Sequence, residues 1–502
     1  EKLDFLEDPS NSLKEKLTYV LSNEYLSKMG YSEQQQDWLN TYYKSTGYTP
    51  LWINDSMISE RGSEMKLSLE KSLWFGIPNN RQIIKQKKLN WIEQEVYMTS
   101  QIALLMCDLR NGYIDFEHNK YKPEELLSHV QFDSLTTAFK AGETDSLFLS
   151  VREKDTSYHF LADGLYQFCK EYTLDKRTYS LKPQSVDSLA FKGGSNQALI
   201  NKGYLKEKDR TKIEAWKEAI KLLQRQHGLS QNGHLDQHTC RALNESNLSK
   251  VLRAAISLDR YRQATSKPKK FIKINLPGFD LVYFADDTLR STHRIIIGKP
   301  ENPTPTLQSS IRTIVVYPYW NVPYSIAKKE ILPAVKRNVN YLDKNRYKIY
   351  QNDKIIDPHS VKWRNYTNFP FKIVQDPGPE NSLGIIKFEF SNSYSVYVHD
   401  TPSKSLFNNQ VRTYSHGCMR CKDPVDLGKK ILLYDSVPYK RNPMTADSLD
   451  TLLNRAKNFP IRLIEPIPIF VEYNTVSASK EGMVFHFDVY KKEDELIGFM
   501  EK

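Results

Sequence analysis

Tyr414–Cys421 reads YSHGCMRC, which sets two of the chain's five cysteines, Cys418 and Cys421, beside His416, Gly417 and Arg420. Cysteine and histidine this close together serve a metal clip, a redox pair or a nucleophile with its base. Upstream, YVHDT carries His399 and Asp400 at the end of a strand-like run, and a polar connection with Phe407 and Arg412 leads from it to SHGCMR. A zinc site would draw on His399, His416, Cys418 and Cys421. However, His-x-Cys-x-x-Cys crowds three ligands together and lacks the paired knuckles of structural zinc. Cys418-Met419-Arg420-Cys421 is literally a CxxC, yet it does not follow the first strand of a βαβ unit, as thioredoxin-like motifs do. A purely structural loop leaves His416 and Cys418 unexplained beside a glycine-defined turn. The residues favour a cysteine acyl-transfer site. The thiol needs a base for its proton and dipoles for the oxyanion, and a strand end plus a glycine loop before a helix supplies both. His399 and Cys418 meet if their segments lie side by side, and Gly417 lets the backbone approach a substrate carbonyl.

Outward from this motif the texture is β-rich. FIKINLPGFDLVYF, HRIIIGKP, IRTIVVYPYWNVP, GIIKFEF and SYSVYVHD are short β-branched and aromatic runs bounded by Gly, Pro, Asn and Asp, the signature of strands. They predict a β-rich domain that starts near Pro268. Helical patterns interrupt it at SIAKKEILPAVKRN and DPVDLGKKILLYD, where Asp423 is placed to cap and Pro424 to take the first helical position.

Before that domain the chain changes character. From Ser12 to about Lys182, stretches such as SEQQQDWLNTYYKST and WIEQEVYMTSQIALLMCDLRNG carry apolar residues at three and four spacing, which predicts helices. This region holds no cluster of catalytic residue types and reads as a scaffold or partner-binding region. Ser195–Asn247 is compact: Trp216, Ile220, Leu222 and Leu223 form a helical face, Gly228 stops that helix, and Gly233 turns the chain toward a helix through Thr239 and Leu243. His227, His234 and His238 are expected at the surface, with no further ligand completing a metal site. VSASKEGMVFHFDVYKKEDELIGFMEK, from Val476, reads as an appended hairpin or tail.

Composition bounds the rest. A chain of 502 residues predicts about two to four domains. The apolar share of 39% with 12% aromatics indicates packed domains rather than disorder. The net charge of +11 comes from 71 basic and 60 acidic residues, interleaved without a long basic block. That pattern gives a solvated Lys-rich surface and a balance that suits an anionic polymer, a cell-wall glycopeptide as well as DNA; it is the resemblance given below that implies no nucleic-acid partner. Cys107, Cys169 and Cys240 are widely spaced and read as buried small hydrophobes. No apolar run reaches the roughly eighteen residues of a membrane-spanning helix. The opening EKLDFLEDP lacks Met and reads as trimmed.

Two resemblances give these parts a function. Leu223-Gln224, Gly228, Gly233, Asp236, Thr239 and Leu243 resemble the pattern of the small three-helix peptidoglycan-binding domain. HDT followed by SHGCMR resembles the active-site signature of the L,D-transpeptidases (the YkuD-type catalytic domain), which cross-link peptidoglycan through an acylated cysteine. The likeness extends to INLPGFDLVYF, IIIGKPENPTPT, YPYWNVPYSIAKKEILP and QDPGPENSLGIIKFEF and points to the larger YcbB-like branch. It implies a multidomain α+β chain: a helical scaffold at 1–194, a peptidoglycan-binding-like module at 195–248, a helical linker at 249–267, a catalytic domain at 268–475 with a capping subdomain at about 319–375, and a tail at 476–502.

Carried onto this sequence, the resemblance implies that Cys418 is the nucleophile and His399 the base, with the carbonyl of Asp400 orienting the imidazole. The backbone amides of His416, Gly417 and Cys418 would form the oxyanion hole, and Arg420 would order the loop or the substrate. Trp320, Asn321, Tyr324 and Ser325 open the capping segment as substrate-binding candidates, with packing as the rival role for Trp320 and Tyr324. The implied activity is a 3→3 cross-link between diaminopimelate residues of two stem peptides, with no metal or other cofactor. Its alternatives are an L,D-carboxypeptidase or wall-protein-releasing hydrolase on the same cysteine, or a non-catalytic peptidoglycan-binding scaffold. The implied setting is a monomer, exported to the periplasm or cell envelope by a signal or anchor outside this chain, with other wall enzymes as partners. Cys421 stands where the family has an aliphatic residue. It is expected to be packing, with a disulfide to Cys418 as the rival reading.

Overall fold

The computed structural model describes residues 2–8, 10–54, 57–81, 89–138, 148, 156–183, 194–435 and 444–501. Parts of the scaffold reading (139–147, 149–155, 184–193) and of the catalytic-domain reading (436–443) lie outside them. The chain divides into two units, Glu1–Thr265 with Thr475–Lys502, and Ser266–Asn474.

In the first unit the helices begin where the sequence offers caps. Ser12 with Glu15, Ser32 with Gln35, and Asn90 with Glu93 form reciprocal capping boxes at the starts of Leu13–Val20, Glu33–Ser45 and Trp91–Asn111, each satisfying two backbone donors the helix leaves open. Trp91–Asn111 is buried along most of its length and stops at Gly112. Residues 249–267, read as a helical linker, lie mostly in helix Asn247–Arg262, whose Leu252, Ala255, Ile256 and Leu258 are core side chains. Its apolar residues point in nearly every direction, which suits a buried helix and not an exposed spacer.

The stretch read as a tail also belongs to this core. A hairpin, Val476–Ser479 with Gly482–Phe485, precedes helix Asp494–Met500, and Val476, Phe485, Leu496 and Met500 are buried with the helices. Arg253 donates to the carbonyls of Thr475 and His486, and Glu493, fully buried, accepts from Arg260. In the three-helix stretch Gln224 is buried and bonds to Asn232, His234, Thr239 and Gly233. The residues that carry the module's pattern therefore hold its turn. His227 is buried, not at the surface, because its Nδ1–H donates to the Leu223 carbonyl within its own helix end.

The second unit is built on strands β1 (Phe271–Asn275), β2 (Asp280–Ala285), β3 (Thr288–Gly298), β4 (Leu307–Val316), β5 (Trp320–Asn321), β6 (Tyr347–Gln351), β7 (Lys354–Ile356), β8 (Lys372–Gln375), β9 (Ile386–Phe390), β10 (Val398–His399), β11 (Thr413–Ser415), β12 (Met419–Cys421) and β13 (Phe459–Glu472). Nine of them form one sheet in the order β11-β3-β12-β10-β9-β4-β13-β1-β2, and β2 pairs again with β3, so the sheet closes on itself. Alternation decides the faces: Ile386, Phe388 and Phe390 are buried, and Lys387 and Glu389 turn the other way. Helix Pro424–Leu433 follows β12 with Pro424 in its first turn. Asp423 makes no side-chain cap; it takes a left-handed backbone (φ +52°) instead.

Between β4 and β9 the chain leaves the large sheet and builds a cap. Strands β7-β6-β8-β5 form its sheet, over a core that includes Trp320, Ile331, Leu342, Ile349 and Trp363. Its first helix opens into a π turn at Ala327–Ile331. Pro333 comes just after, with no N–H to close an α-helical bond on the Lys329 carbonyl.

Candidate active site

Strands β10 and β12 run parallel, with Val398 opposite Met419 and His399 opposite Arg420. On the other side β9 is antiparallel to β10 and sets Lys387 opposite His399. The Met419 N–H donates to the Tyr397 carbonyl at 3.0 Å, so the pairing continues to Tyr397 and Cys418. Side chains two residues apart share a face. Lys387, Tyr397, His399, Cys418 and Arg420 therefore stand on one face, and Phe388, Val398, Met419 and Cys421 on the buried one.

His399 is 4% exposed. Its Nδ1–H donates to the Asp400 carbonyl at 2.5 Å, which leaves Nε2 as the basic nitrogen. Burial, joined by the Arg420 charge, pushes its pKa down to about 3, so the imidazole is neutral. Burial also raises the Cys418 pKa, while Tyr397, Lys387 and Arg420 pull it back. The sulfur thus rests as a thiol on the same strand face as an uncharged imidazole. The Tyr397 hydroxyl lies near enough to the Cys418 sulfur and the Trp320 indole for both to act on it, and the Lys387 ammonium lies 4.0 Å from the Tyr397 ring centroid.

The turn before Cys418 is held from inside. The Ser415 hydroxyl donates to the Cys418 carbonyl at 2.5 Å and accepts from the Gly417 N–H at 3.2 Å. Thr304 Oγ1 donates to the Gly417 carbonyl at 2.8 Å and accepts from the Gly298 N–H at 2.9 Å. Gly417 has φ +117°, while a Cβ there would meet nothing closer than 3.7 Å; the dihedral, not crowding, calls for glycine. The Gly417 amide expected in the oxyanion hole is thus engaged with Ser415. The amides of His416 and Cys418 make no hydrogen bond among the described residues.

The remaining expected residues are distributed as follows. The Asp400 carboxylate accepts from the Ile385 N–H at 3.0 Å and from Lys404, and so braces the loop before β9 while its carbonyl faces His399. His416 Nε2–H donates to Glu330 Oε1 of the cap at 2.6 Å. Burial lowers the Arg420 pKa against the opposing charges of Cys418 and Glu330. Trp320 is nearly buried in the cap core, near the Tyr397 hydroxyl. Asn321, Tyr324 and Ser325 are exposed on the cap.

Cys421 is fully buried and contacts the Lys422 carbonyl. Residues three apart in a strand lie about 10 Å apart on opposite faces, beyond the roughly 7 Å at which two cysteines can be bridged. The native strand therefore keeps Cys418 and Cys421 apart. Among the described residues no group of three or more His, Cys, Asp and Glu is arranged to hold a metal ion.

Sequence reasoning missed Tyr397, Lys387, Thr304 and Glu330. Tyr397 had a signal, since YVH places it two residues before His399 on the same strand face. The other three come from distant strands, a loop and the cap, where no local period points to Cys418.

Residues 269–438 match the L,D-transpeptidase catalytic domain (YkuD), and residues 37–165 match the scaffold domain. A Haemophilus influenzae protein named "Putative L,D-transpeptidase" is 29% identical over 290 residues, covering 55% of this chain and 57% of that protein. The chain thus spans little more than half the length of that relative. Among solved structures, the Ldtfm–avibactam carbamoyl enzyme is similar over 41% of this chain and 49% of its own, at 11% identity and a TM-score of 0.18. A cysteine-to-serine mutant of the Enterococcus faecium L,D-transpeptidase is similar over 41% and 50%, at 11% identity and a TM-score of 0.17.

Proposed function

We propose, from the premise that residues 269–438 are an L,D-transpeptidase catalytic domain, that this chain joins peptidoglycan stem peptides by 3→3 cross-links through a thioester on Cys418. The observation that carries the reading is the parallel pairing of Val398–His399 with Met419–Arg420, which supports a neutral imidazole and a thiol acting together from one face of neighbouring strands. His399 Nε2 takes the Cys418 proton as sulfur attacks the carbonyl between diaminopimelate and the terminal D-Ala of a donor tetrapeptide. The C–N bond breaks, and the proton leaves on the D-Ala amine. The side-chain amine of a second diaminopimelate then resolves the thioester.

The amides of His416 and Cys418 are the oxyanion donors in this scheme, held by the left-handed turn at Gly417. Arg420 and Lys387 receive carboxylates of the stem. The cap limits the access of water to the thioester. The order of scaffold, three-helix stretch and capped catalytic domain supports the YcbB-like branch, acting as a monomer in the periplasm or cell envelope.

The test is intact mass after incubation with a carbapenem, followed by product analysis with disaccharide-tetrapeptide. A single adduct on the wild type, none on Cys418→Ala, and a cross-linked dimer are expected. No adduct on the wild type, or an undiminished one on Cys418→Ala, defeats the assignment; tripeptide as the sole product makes the chain a hydrolase.

A further inference from the structure

We infer that Glu330 of the cap, oriented by His416, is a receptor for the cationic amine of the acceptor; the inference rests on the transfer reading above. Glu330 Oε1 accepts from His416 Nε2–H at 2.6 Å, and His416 stands two residues before Cys418. The Glu330 side chain is 52% exposed, and its second oxygen makes no hydrogen bond among the described residues. The carboxylate is therefore both fixed and open. The Arg420 guanidinium senses the Cys418 sulfur and Glu330 together, so the carboxylate faces the nucleophile and not the far surface of the cap.

Charge sorting makes the case. The strand face around Cys418 presents Lys387 and Arg420, and the carboxylate of Glu389 on that face is tied to Lys387 at 2.8 Å. Cations there suit the carboxylates of a donor but repel an incoming ammonium. Glu330 is the carboxylate beside Cys418 that reaches in from the cap, and it supplies the opposite sign where a second substrate would enter.

The chemistry balances. The acceptor arrives as an ammonium, since an unperturbed alkyl amine has a pKa of about 10. Paired with Glu330, it loses one proton to solvent. Its lone pair then attacks the thioester carbon, the C–N bond forms and the C–S bond breaks. The second proton passes to His399 Nε2 and on to Cys418 Sγ, which restores the thiol and the neutral base. Water is uncharged and gains nothing from Glu330, so the residue favours transfer over hydrolysis.

The experiment follows the fate of the acyl-enzyme formed from disaccharide-tetrapeptide as acceptor concentration is varied. In Glu330→Gln the acceptor KM is expected to rise about tenfold, the value of one charge-assisted contact, and product to shift from cross-linked dimer toward tripeptide. Glu330→Asp should recover part of the loss. Cleavage of the thioester by hydroxylamine, a neutral amine, should change less than the diaminopimelate reaction. An unchanged acceptor KM and product ratio in Glu330→Gln, or an equal loss with hydroxylamine, overturns the receptor while leaving the transpeptidase reading intact. A wild type that forms no acyl-enzyme overturns that reading and this inference with it.

Discussion

His399 and Arg420 are register partners in neighbouring parallel strands, so the proposed base sits beside a permanent cation. That cation adds to burial in keeping the imidazole neutral. It also offsets part of the cost of forming a thiolate at Cys418. Burial of both groups, and the effect of Arg420 on the imidazole, favour proton transfer during attack over a standing thiolate–imidazolium pair.

The pH dependence follows. With its pKa pushed down to about 3, His399 stays neutral from mild acid upward, so carbapenem acylation should be flat between about pH 5 and 8. A limb centred near pH 6.5, the ordinary histidine value, would contradict the geometry. Stability carries the same sign. Below about pH 6.5 the unfolded chain takes a proton that folded His399 refuses, so stability falls as pH drops from about 6.5 toward 3. His486, also pushed down to about 3 by burial, adds to this in the first unit. Thermal melts from pH 8 to 4.5 should show the fall, and His486→Gln should reduce it.

Tyr397→Phe removes a hydroxyl that lies near the Cys418 sulfur and the Trp320 indole. Because that hydroxyl lowers the thiol pKa, the alkylation profile of Cys418 with iodoacetamide should move to higher pH. Acylation should slow by about tenfold, the value of one hydrogen bond to a charged group. An unmoved profile would show that the hydroxyl does not act on the sulfur.

Gly417→Ala keeps the space but not the dihedral. With φ at +117°, alanine should cost about 1–3 kcal/mol in strain or pull the turn away. Since the turn aims the flanking amides, acylation should fall by about 10²-fold or more, with a smaller effect on the melting temperature. Wild-type acylation in this variant would remove the turn from the mechanism.

Oxidation should not join Cys418 to Cys421, because they stand on opposite faces of an extended strand. After mild diamide treatment, peptide mapping should find no Cys418–Cys421 bridge, and Cys421→Ala should retain carbapenem acylation while lowering stability by about 1 kcal/mol through a small cavity. A bridge that forms in the folded protein would refute the strand geometry.

Glu493→Ala should destabilise the first unit by about 3–5 kcal/mol. It leaves Arg260 without this fully buried carboxylate and takes from Arg253 the more distant of its two, Glu245 remaining, and an uncompensated buried charge is costly. Urea unfolding followed by circular dichroism would check it. An effect under about 1 kcal/mol would make the last residues a dispensable tail after all.

Much of the candidate site is legible where chemistry is local. His399, Asp400 and the run from His416 to Arg420 stand out as candidates because a thiol, a histidine and a glycine turn have few other uses together. Helix starts at Ser12, Ser32 and Asn90 were equally legible in kind, since a cap is decided within four residues. The sequence of Asn247–Arg262 gives its helical period but not its neighbours, so its burial is not legible there. The burial of His227 is hidden for the same reason.

By itself, the sequence determined the nucleophile motif, the helical character of the first part, the β character of the second, and which residues alternate toward a core. Tertiary structure alone decided that Lys387, Thr304 and Glu330 surround Cys418, that Cys421 faces away from it, and that residues 475–502 complete the first unit. The physical reason is range. Capping, turn dihedrals and side-chain period act over a few residues and can be read along the chain. Strand pairing, burial and charge balance depend on which distant segments meet, and that is settled only when the sheet closes.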